Sequence, residues 1–141
     1  MKIYDCFMFF DEEMLLDLRL NIMDKYVDKF VITEASYMHS GKPKKLLFDI
    51  NKFSKFKDKI IYIIVNDPPP RLLEISDLDK SDVRDLKKIQ NAYKREIYQI
   101  EKTQDGLVDA KPDDIIIVSD LDEIPNLENI DFSYFKKNLI F

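Results

Sequence analysis

Short apolar runs recur along the chain, and longer segments with helical spacing separate them. Each run has the length of a strand, and the four runs lie at residues 3–10, 28–34, 60–65 and 115–118. The first helix is predicted to begin after Asp11, which is placed to cap it, and a longer helix runs from Ser81 to about Lys102. Strands that alternate with helices in this order predict an α/β fold with a mostly parallel sheet.

Apolar residues within the two predicted helices recur every three or four positions. In the first helix these residues are Met14, Leu15, Leu18 and Ile22. The long helix has a stripe predicted to be buried, with charged residues on its other face, and the stripe contains Val83, Leu86, Tyr93, Ile97 and Ile100. Between the helices, residues 46–48 are a candidate short strand, and Phe53 and Phe56 fall in a predicted short helix or turn.

The fourth apolar run ends abruptly in alternating carboxylates and a proline, in the order Ser119-Asp120-Leu121-Asp122-Glu123-Ile124-Pro125. The run is predicted to be a strand buried on both faces, and ligands of parallel sheets bind beyond the carboxyl ends of such strands. Side chains two apart on an extended chain point the same way, so Asp120 and Asp122 can face one ion. Hard divalent cations prefer oxygen ligands and leave positions for phosphates. This strand end therefore predicts a site for a metal-bound diphosphate.

The same tetrapeptide occurs a second time, at Ser76-Asp77-Leu78-Asp79, and serves as an internal control. This copy follows Pro68-Pro69-Pro70 and has no apolar strand before it. A solvated turn leading into a helix is the stronger interpretation there. The position after a strand, rather than the tetrapeptide itself, carries the prediction of a ligand site.

Two other predicted strands also end in polar side chains. Glu34 closes the second strand, and Asn66-Asp67 follows the third. Because the carboxyl ends of parallel strands meet at one edge of a sheet, these residues are expected beside Asp120 and Asp122. That edge is the predicted ligand face.

Composition narrows the class of protein. The 141 residues, of which 45% are hydrophobic, fit one domain covering residues 1–141. The formal net charge is −5, and no basic patch with interleaved aromatic residues stands out, so a nucleic-acid partner is not expected. Cys6 is the only cysteine, which excludes an intrachain disulfide and predicts a buried, inert thiol. With neither a signal peptide nor a membrane-spanning run expected, the predicted location is cytoplasmic.

Five blocks of the sequence, in this order, resemble glycosyltransferase family 17. The blocks are Tyr4-Asp5-Cys6-Phe7-Met8-Phe9-Phe10, Leu15-Leu16-Asp17-Leu18-Arg19-Leu20, Phe30-Val31-Ile32-Thr33-Glu34-Ala35-Ser36-Tyr37, Ser40-Gly41-Lys42-Pro43-Lys44 and Ser119-Asp120-Leu121-Asp122-Glu123-Ile124-Pro125. The resemblance implies a GT-A-like nucleotide-sugar-binding fold and a β-1,4-mannosyl-glycoprotein 4-β-N-acetylglucosaminyltransferase type of reaction. It further implies an inverting transfer from UDP-N-acetylglucosamine to a glycan acceptor.

The resemblance also implies roles for individual residues. Asp120-Leu121-Asp122 would be the DxD motif, with Asp122 on a divalent metal, Mn²⁺ or Mg²⁺, that bridges the donor diphosphate. Asp120 would face the same metal, through water in one alternative, or the donor ribose or sugar. Three further residues are candidates for substrate binding: Glu34, with a loop cap as the equal alternative, Lys42 as a phosphate contact, and Arg95.

Two positions in the resemblance leave alternatives open. Arg95-Glu96 and Gln99 fit the family's pattern in the long helix, but Ile100 and Glu101 stand where arginine and asparagine are expected. Either this loss of a cation and gain of a carboxylate weaken the binding of an anionic donor, or the region is shifted in register and the motif is not represented. Arg19 can reach a phosphate or pair structurally with Asp5 or Glu34, and the structural pair is favoured.

The family's pattern continues beyond the Asp-Glu-Ile-Pro block into a region that supplies the acceptor site. In this chain the sequence ends on the apolar Leu139-Ile140-Phe141, so we expect a domain that is incomplete at its C-terminus. A partner chain is one possible source of the acceptor half, and the sequence assigns no catalytic base. Two alternatives to a glycosyltransferase remain: a non-catalytic nucleotide-sugar-binding fragment, and a metal-dependent phosphotransferase.

Overall fold

Four parallel strands and two α-helices form the part of the chain that a computed structural model describes, residues 1–132. In chain order the elements are β1 (Ile3–Met8), α1 (Glu13–Met23), β2 (Lys29–Ala35), β3 (Ile60–Val65), α2 (Ser81–Glu101) and β4 (Ile115–Val118). Short 3-10 helices cover Ile50–Phe56 and Lys102–Gly106. The strands lie in the order β3-β2-β1-β4, and every pair is parallel. The predicted α/β fold with a parallel sheet is confirmed, while residues 139–141 lie outside the described part.

Apolar side chains cover both faces of the two central strands. On one face, α1 and the 3-10 helix Ile50–Phe56 pack on the sheet in a cluster that includes Leu16, Leu20, Met23, Phe30, Ile32, Phe53 and Phe56. On the other face, a smaller cluster joins Tyr4, Cys6 and Val31 to residues near the 3-10 helix Lys102–Gly106. The sheet therefore lies between two layers, and the ends of its strands remain available for a site.

Strand β4 differs from its prediction, because its four residues are only half-buried. Among the described residues β4 pairs with β1 alone, at the end of the sheet, whereas β1 and β2 each have a strand on both sides. The expectation of burial on both faces was wrong for this strand. An all-apolar run does not distinguish a central strand from one at the end of a sheet.

The buried face of α1 is not the one that its most obvious apolar residues indicated. Met14 is 87% exposed, and Leu18 and Ile22 are also exposed. The buried residues are Leu16, Leu20, Met23 and, unexpectedly, Arg19. Asp11 does not cap α1, because Glu12 is the residue directly before the helix. The Glu12 carboxylate accepts hydrogen bonds from the backbone amides of Phe10 and Asp11.

The long helix α2 confirms its predicted length but not its predicted buried stripe. Val83, Leu86, Tyr93 and Ile97 are all exposed, and the buried residues are Asn91 and Gln99. The Asn91 side chain exchanges two hydrogen bonds of 2.7 and 2.8 Å with the backbone of Leu73, and Gln99 Nε2 donates to Thr33 O at 3.1 Å. The described contacts that dock α2 are thus largely polar, which a hydrophobic pattern cannot reveal.

We predict that Leu16→Ala lowers the free energy of unfolding by about 2–5 kcal/mol, because the substitution removes a fully buried side chain from the core. Met14→Ala, on the same helix, is the matched control and should cost less than about 0.5 kcal/mol, since Met14 is exposed. Urea denaturation of both variants checks the prediction. Equal losses would contradict the observed orientation of α1.

Candidate functional site

A cleft of about 650 Å³ opens at the carboxyl ends of the parallel strands. Its walls come from the segments that follow β1, β2 and β4 and from one side of α2. Polar side chains from all four sources line it: Glu12, His39, Ser40, Lys44, Glu96, Gln99, Asp120 and Asp122. The cleft lies at the edge that the sequence predicted as the ligand face.

Asp120 and Asp122 both line the cleft, and both side chains are exposed. The chain is not extended at this point, because the amide of Glu123 donates to Asp120 O at 3.0 Å and closes a turn. Leu121, between the two aspartates, is only 6% exposed and packs in the main core. Within residues 1–132 neither carboxylate has a hydrogen-bond or ion-pair partner. The turn thus anchors its apolar residue and leaves two carboxylates available to a ligand.

Arg19 lies directly behind this turn and is completely buried. Its Nη1 donates to three backbone carbonyls, at 2.6 Å to Asp120, 3.2 Å to Leu121 and 3.2 Å to Glu123. Its Nη2 donates to Ser119 Oγ at 2.7 Å. One side chain of α1 therefore contacts four of the five residues between positions 119 and 123.

Asp5, in the middle of β1, neutralises the Arg19 guanidinium. Its two carboxylate oxygens accept from Arg19 Nε at 3.0 Å and from Nη2 at 2.7 Å, in a forked arrangement that is also completely buried. Arg19 lies 4.6 Å from the centre of the Phe7 ring as well. Of the alternatives for Arg19, the structure shows the pair with Asp5. Neighbouring Cys6 is buried, as predicted, and burial raises the pKa of its thiol to about 12.

Glu34, at the end of β2, is buried and makes four contacts within the protein. Its carboxylate pairs with Lys44 and accepts from Leu47 N at 2.8 Å, Phe48 N at 3.0 Å and Tyr62 Oη at 2.7 Å. Burial opposes the charge, but these four donors outweigh it and lower the pKa of the carboxyl. Residues 46–48 are thereby held as a loop, so the candidate strand there was wrong. These contacts are those of a loop cap; a contact of Glu34 with a nucleotide stays a prediction.

Lys42 lies on a turn beside the cleft and Arg95 lies on α2, and neither is among the residues that line the cleft. The turn is closed by a bridge between Tyr37 and Pro43, and Gly41 adopts a left-handed φ of 88° within it. Arg95 Nη1 donates to His39 O at 2.9 Å, and its guanidinium lies against Gly41. Arg95 therefore supports the wall of the cleft from behind, and Lys42 is exposed on the turn. Their contacts with a substrate stay predictions.

Six of the polar residues that line the cleft were not among the proposed site residues: Glu12, His39, Ser40, Lys44, Glu96 and Gln99. Glu96 and Gln99 lie three positions apart on α2, a spacing that places both on one side of a helix. That spacing was readable from the sequence. The sequence did not predict which side of α2 faces the cleft, because the apolar stripe, which is exposed in the structure, indicated a different orientation.

Asp120 and Asp122 are the residues that the sequence proposed as metal ligands. Within positions 1–132 no group of three or more histidine, cysteine, aspartate or glutamate side chains is arranged to hold a metal ion. Asp120 and Asp122 supply two oxygen donors at one side of the cleft. Such a pair suits a hard cation that also takes oxygens from phosphate and water.

Comparison with known proteins identifies the family. The profile described as Glycosyltransferase family 17 matches residues 1–136, so the chain belongs to this family. The β-1,4-mannosyl-glycoprotein 4-β-N-acetylglucosaminyltransferase of Homo sapiens is 30% identical over 125 residues, which are 84% of this chain and 21% of the human protein. The Rattus norvegicus protein of the same name is 30% identical over 84% of this chain and 20% of its own length. The chain thus spans about a fifth of these relatives.

No solved structure gave a significant match to the chain. Among the helices of residues 1–132, none combines the length and the apolar character needed to cross a membrane.

We predict that Glu34→Gln lowers the free energy of unfolding at pH 7 by about 1–3 kcal/mol, because four donors lose a charged acceptor. The folded-state pKa of Glu34 is lowered, so this difference from wild type should be fully present above the ordinary value of 4.5 and shrink as pH falls through the folded-state pKa. Urea denaturation of both proteins across this range measures it. Glu74→Gln, at an exposed glutamate, is the control; a difference independent of pH would contradict the assignment.

Proposed function

We propose that this chain is the donor-binding part of a metal-dependent glycosyltransferase that moves N-acetylglucosamine from UDP-N-acetylglucosamine to a glycan acceptor with inversion. One observation carries the proposal: Asp120 and Asp122 present two carboxylates, unpartnered within residues 1–132, to a cleft at the carboxyl ends of parallel strands. Family membership and the names of the relatives support the transfer of this sugar.

Asp120 and Asp122 would hold the divalent cation, Mn²⁺ or Mg²⁺. Two protein carboxylates fit a cation whose remaining positions are filled by diphosphate oxygens and water. When bound, the cation supplies electrostatic stabilisation of the charge that develops on the leaving diphosphate. The protein's own contribution is to hold both carboxylates at one side of the cleft before the donor arrives, so little reorganisation is needed.

The remainder of the cleft suits a nucleotide sugar rather than a bare phosphate. The aromatic rings of Phe10 and Tyr37 belong to its lining and offer surfaces for stacking of a base. Gln99, Ser40 and His39 add hydrogen-bonding groups that suit sugar hydroxyls. Glu34, Lys42 and Arg95 remain proposed substrate contacts, of which Lys42 is an exposed cation on the turn that also carries His39.

A second candidate function is donor binding without transfer. The chain corresponds to about a fifth of its relatives, and an inverting transfer needs a general base for the acceptor hydroxyl. The acceptor site and this base would then come from a partner chain or from a further domain. The two candidates share one donor site and differ only in turnover.

Calorimetric titration with UDP-N-acetylglucosamine tests the donor site. We expect binding in the presence of Mn²⁺, loss of binding with chelator, and at least a roughly tenfold weaker affinity for Asp120→Ala and Asp122→Ala, because each substitution removes one metal ligand. Asp77→Ala is the matched control, since Asp77 is the exposed counterpart of Asp120 in the second copy of the tetrapeptide. Wild-type protein that is folded and binds no donor would rule the proposal out.

Turnover separates the two candidate functions. Incubation with UDP-N-acetylglucosamine, Mn²⁺ and a mannose-terminated glycan should release UDP and lengthen the glycan if the chain transfers by itself. Metal-dependent donor binding with no glycan product would instead support the binding fragment. Mass spectrometry of the glycan and a coupled assay for UDP give the two readouts.

A further inference from the structure

We propose that Arg19 is the positioning residue of the carboxylate turn, defined as residues 119–123, and that Asp5 and Ser119 act with it as one unit. The inference rests on the proposed function, because the turn carries the two carboxylates assigned to the metal. Arg19 acts only through the backbone and Ser119. Its role is to set where Asp120 and Asp122 stand before any ligand binds.

The hydrogen bonds of Arg19 exclude a direct contact with substrate. A guanidinium has five N–H donors, and Arg19 uses its three nitrogens in six hydrogen bonds, all to Asp5 or to the carboxylate turn. No donor is left for a phosphate, and the side chain is completely buried. Its effect on a ligand can therefore be exerted only through the position of the turn.

Asp5 holds the Arg19 guanidinium in place, and Ser119 links this guanidinium to the end of the carboxylate turn. Asp5 belongs to β1, a strand paired on both sides, so the guanidinium is fixed relative to the centre of the sheet. Ser119 Oγ accepts from Arg19 Nη2 and donates to Glu123 O at 3.1 Å, which ties the two ends of the turn together. Three carbonyls and one hydroxyl are thus held by a single planar group.

The second copy of the tetrapeptide shows what the same residues do without this unit. There Leu78 is 96% exposed, and Asp79 turns back to accept Ser76 N at 2.9 Å and Lys87 Nζ at 2.8 Å. An arginine is present, but Arg84 contacts the carbonyls of Asp77 and Asp79 through Nη2 alone. Among the described atoms its buried Nε has no partner, and no carboxylate pairs with it. The carboxylate of Asp79 is therefore occupied by contacts with its own loop and with Lys87 of α2.

The two copies have the same sequence, Ser-Asp-Leu-Asp, so their different conformations come from the residues that surround them. In the carboxylate turn, the backbone acceptors are satisfied by Arg19 and the leucine is buried, so the carboxylates project into the cleft. In the second copy the leucine is exposed, Arg84 contacts two carbonyls, and the Asp79 carboxylate accepts from the Ser76 amide and from Lys87. Arg84→Lys and Ser76→Ala are therefore matched controls for Arg19→Lys and Ser119→Ala.

Amide hydrogen exchange of the ligand-free protein tests the positioning. The Glu123 amide, which closes the turn, should exchange about tenfold faster in Ser119→Ala, which removes one acceptor for the charged guanidinium, and faster still in Arg19→Lys. Lysine keeps the charge but cannot reproduce the planar fork, so it should not rescue the turn.

Arg84→Lys and Ser76→Ala should leave the exchange rate of the Glu123 amide unchanged. Unchanged exchange at Val31 in β2 shows that each variant is folded, and Ser119→Ala serves if Arg19→Lys does not fold.

Calorimetric titration of the same proteins with Mn²⁺ and UDP links the turn to the ligand. We expect Ser119→Ala to weaken this binding about tenfold at a temperature where it is fully folded, a change that a purely structural role would not cause. Unchanged exchange at Glu123, or unchanged affinity despite faster exchange, would overturn the inference. Faster exchange in a protein whose wild type binds neither Mn²⁺ nor UDP would overturn the proposed function and the ligand role together, while leaving the contacts of Arg19 as a structural feature.

Discussion

The buried pair between Arg19 and Asp5 is the interaction on which the arrangement of the site depends. It joins α1 to the central strand β1 and, through the carbonyls that Arg19 contacts, to the turn after β4. Removing one partner of a buried ion pair typically costs about 3–5 kcal/mol, because the other charge is left uncompensated. The pair therefore makes the position of the carboxylate turn inseparable from the packing of the core.

A second buried charge holds the loop after β2, whose Lys44 lines the cleft. Glu34 ends β2 and binds Lys44 together with two amides of the following loop. In both places a completely buried ionic side chain pairs with an opposite charge and also makes hydrogen bonds to backbone groups of a neighbouring turn or loop. The cleft thus has walls held by polar contacts, while Asp120 and Asp122, which have no partner within residues 1–132, come from the carboxylate turn. This division suits a site that must be in place before a charged ligand arrives.

The repeated tetrapeptide shows how little a short motif determines. Its two copies have the same four residues, yet one buries its leucine and the other exposes it. The copy after β4 is held by contacts to residues more than 100 positions away, whereas the copy before α2 is satisfied mainly by its own loop and the start of that helix.

The sequence by itself determined the parallel α/β fold, the lengths of β3 and α2, and the placement of Asp120 and Asp122 beyond the carboxyl end of β4, because each depends on local patterns. Only the tertiary structure decided which faces of α1 and α2 are buried, that β4 is half-exposed, and which partners Arg19 and Glu34 have. Burial depends on what packs against an element, and a buried charge depends on partners distant in sequence. Neither leaves a periodic signal, so the sequence left structural roles for Arg19 and Glu34 among its alternatives but could not specify the carbonyls, amides and hydroxyls that they contact.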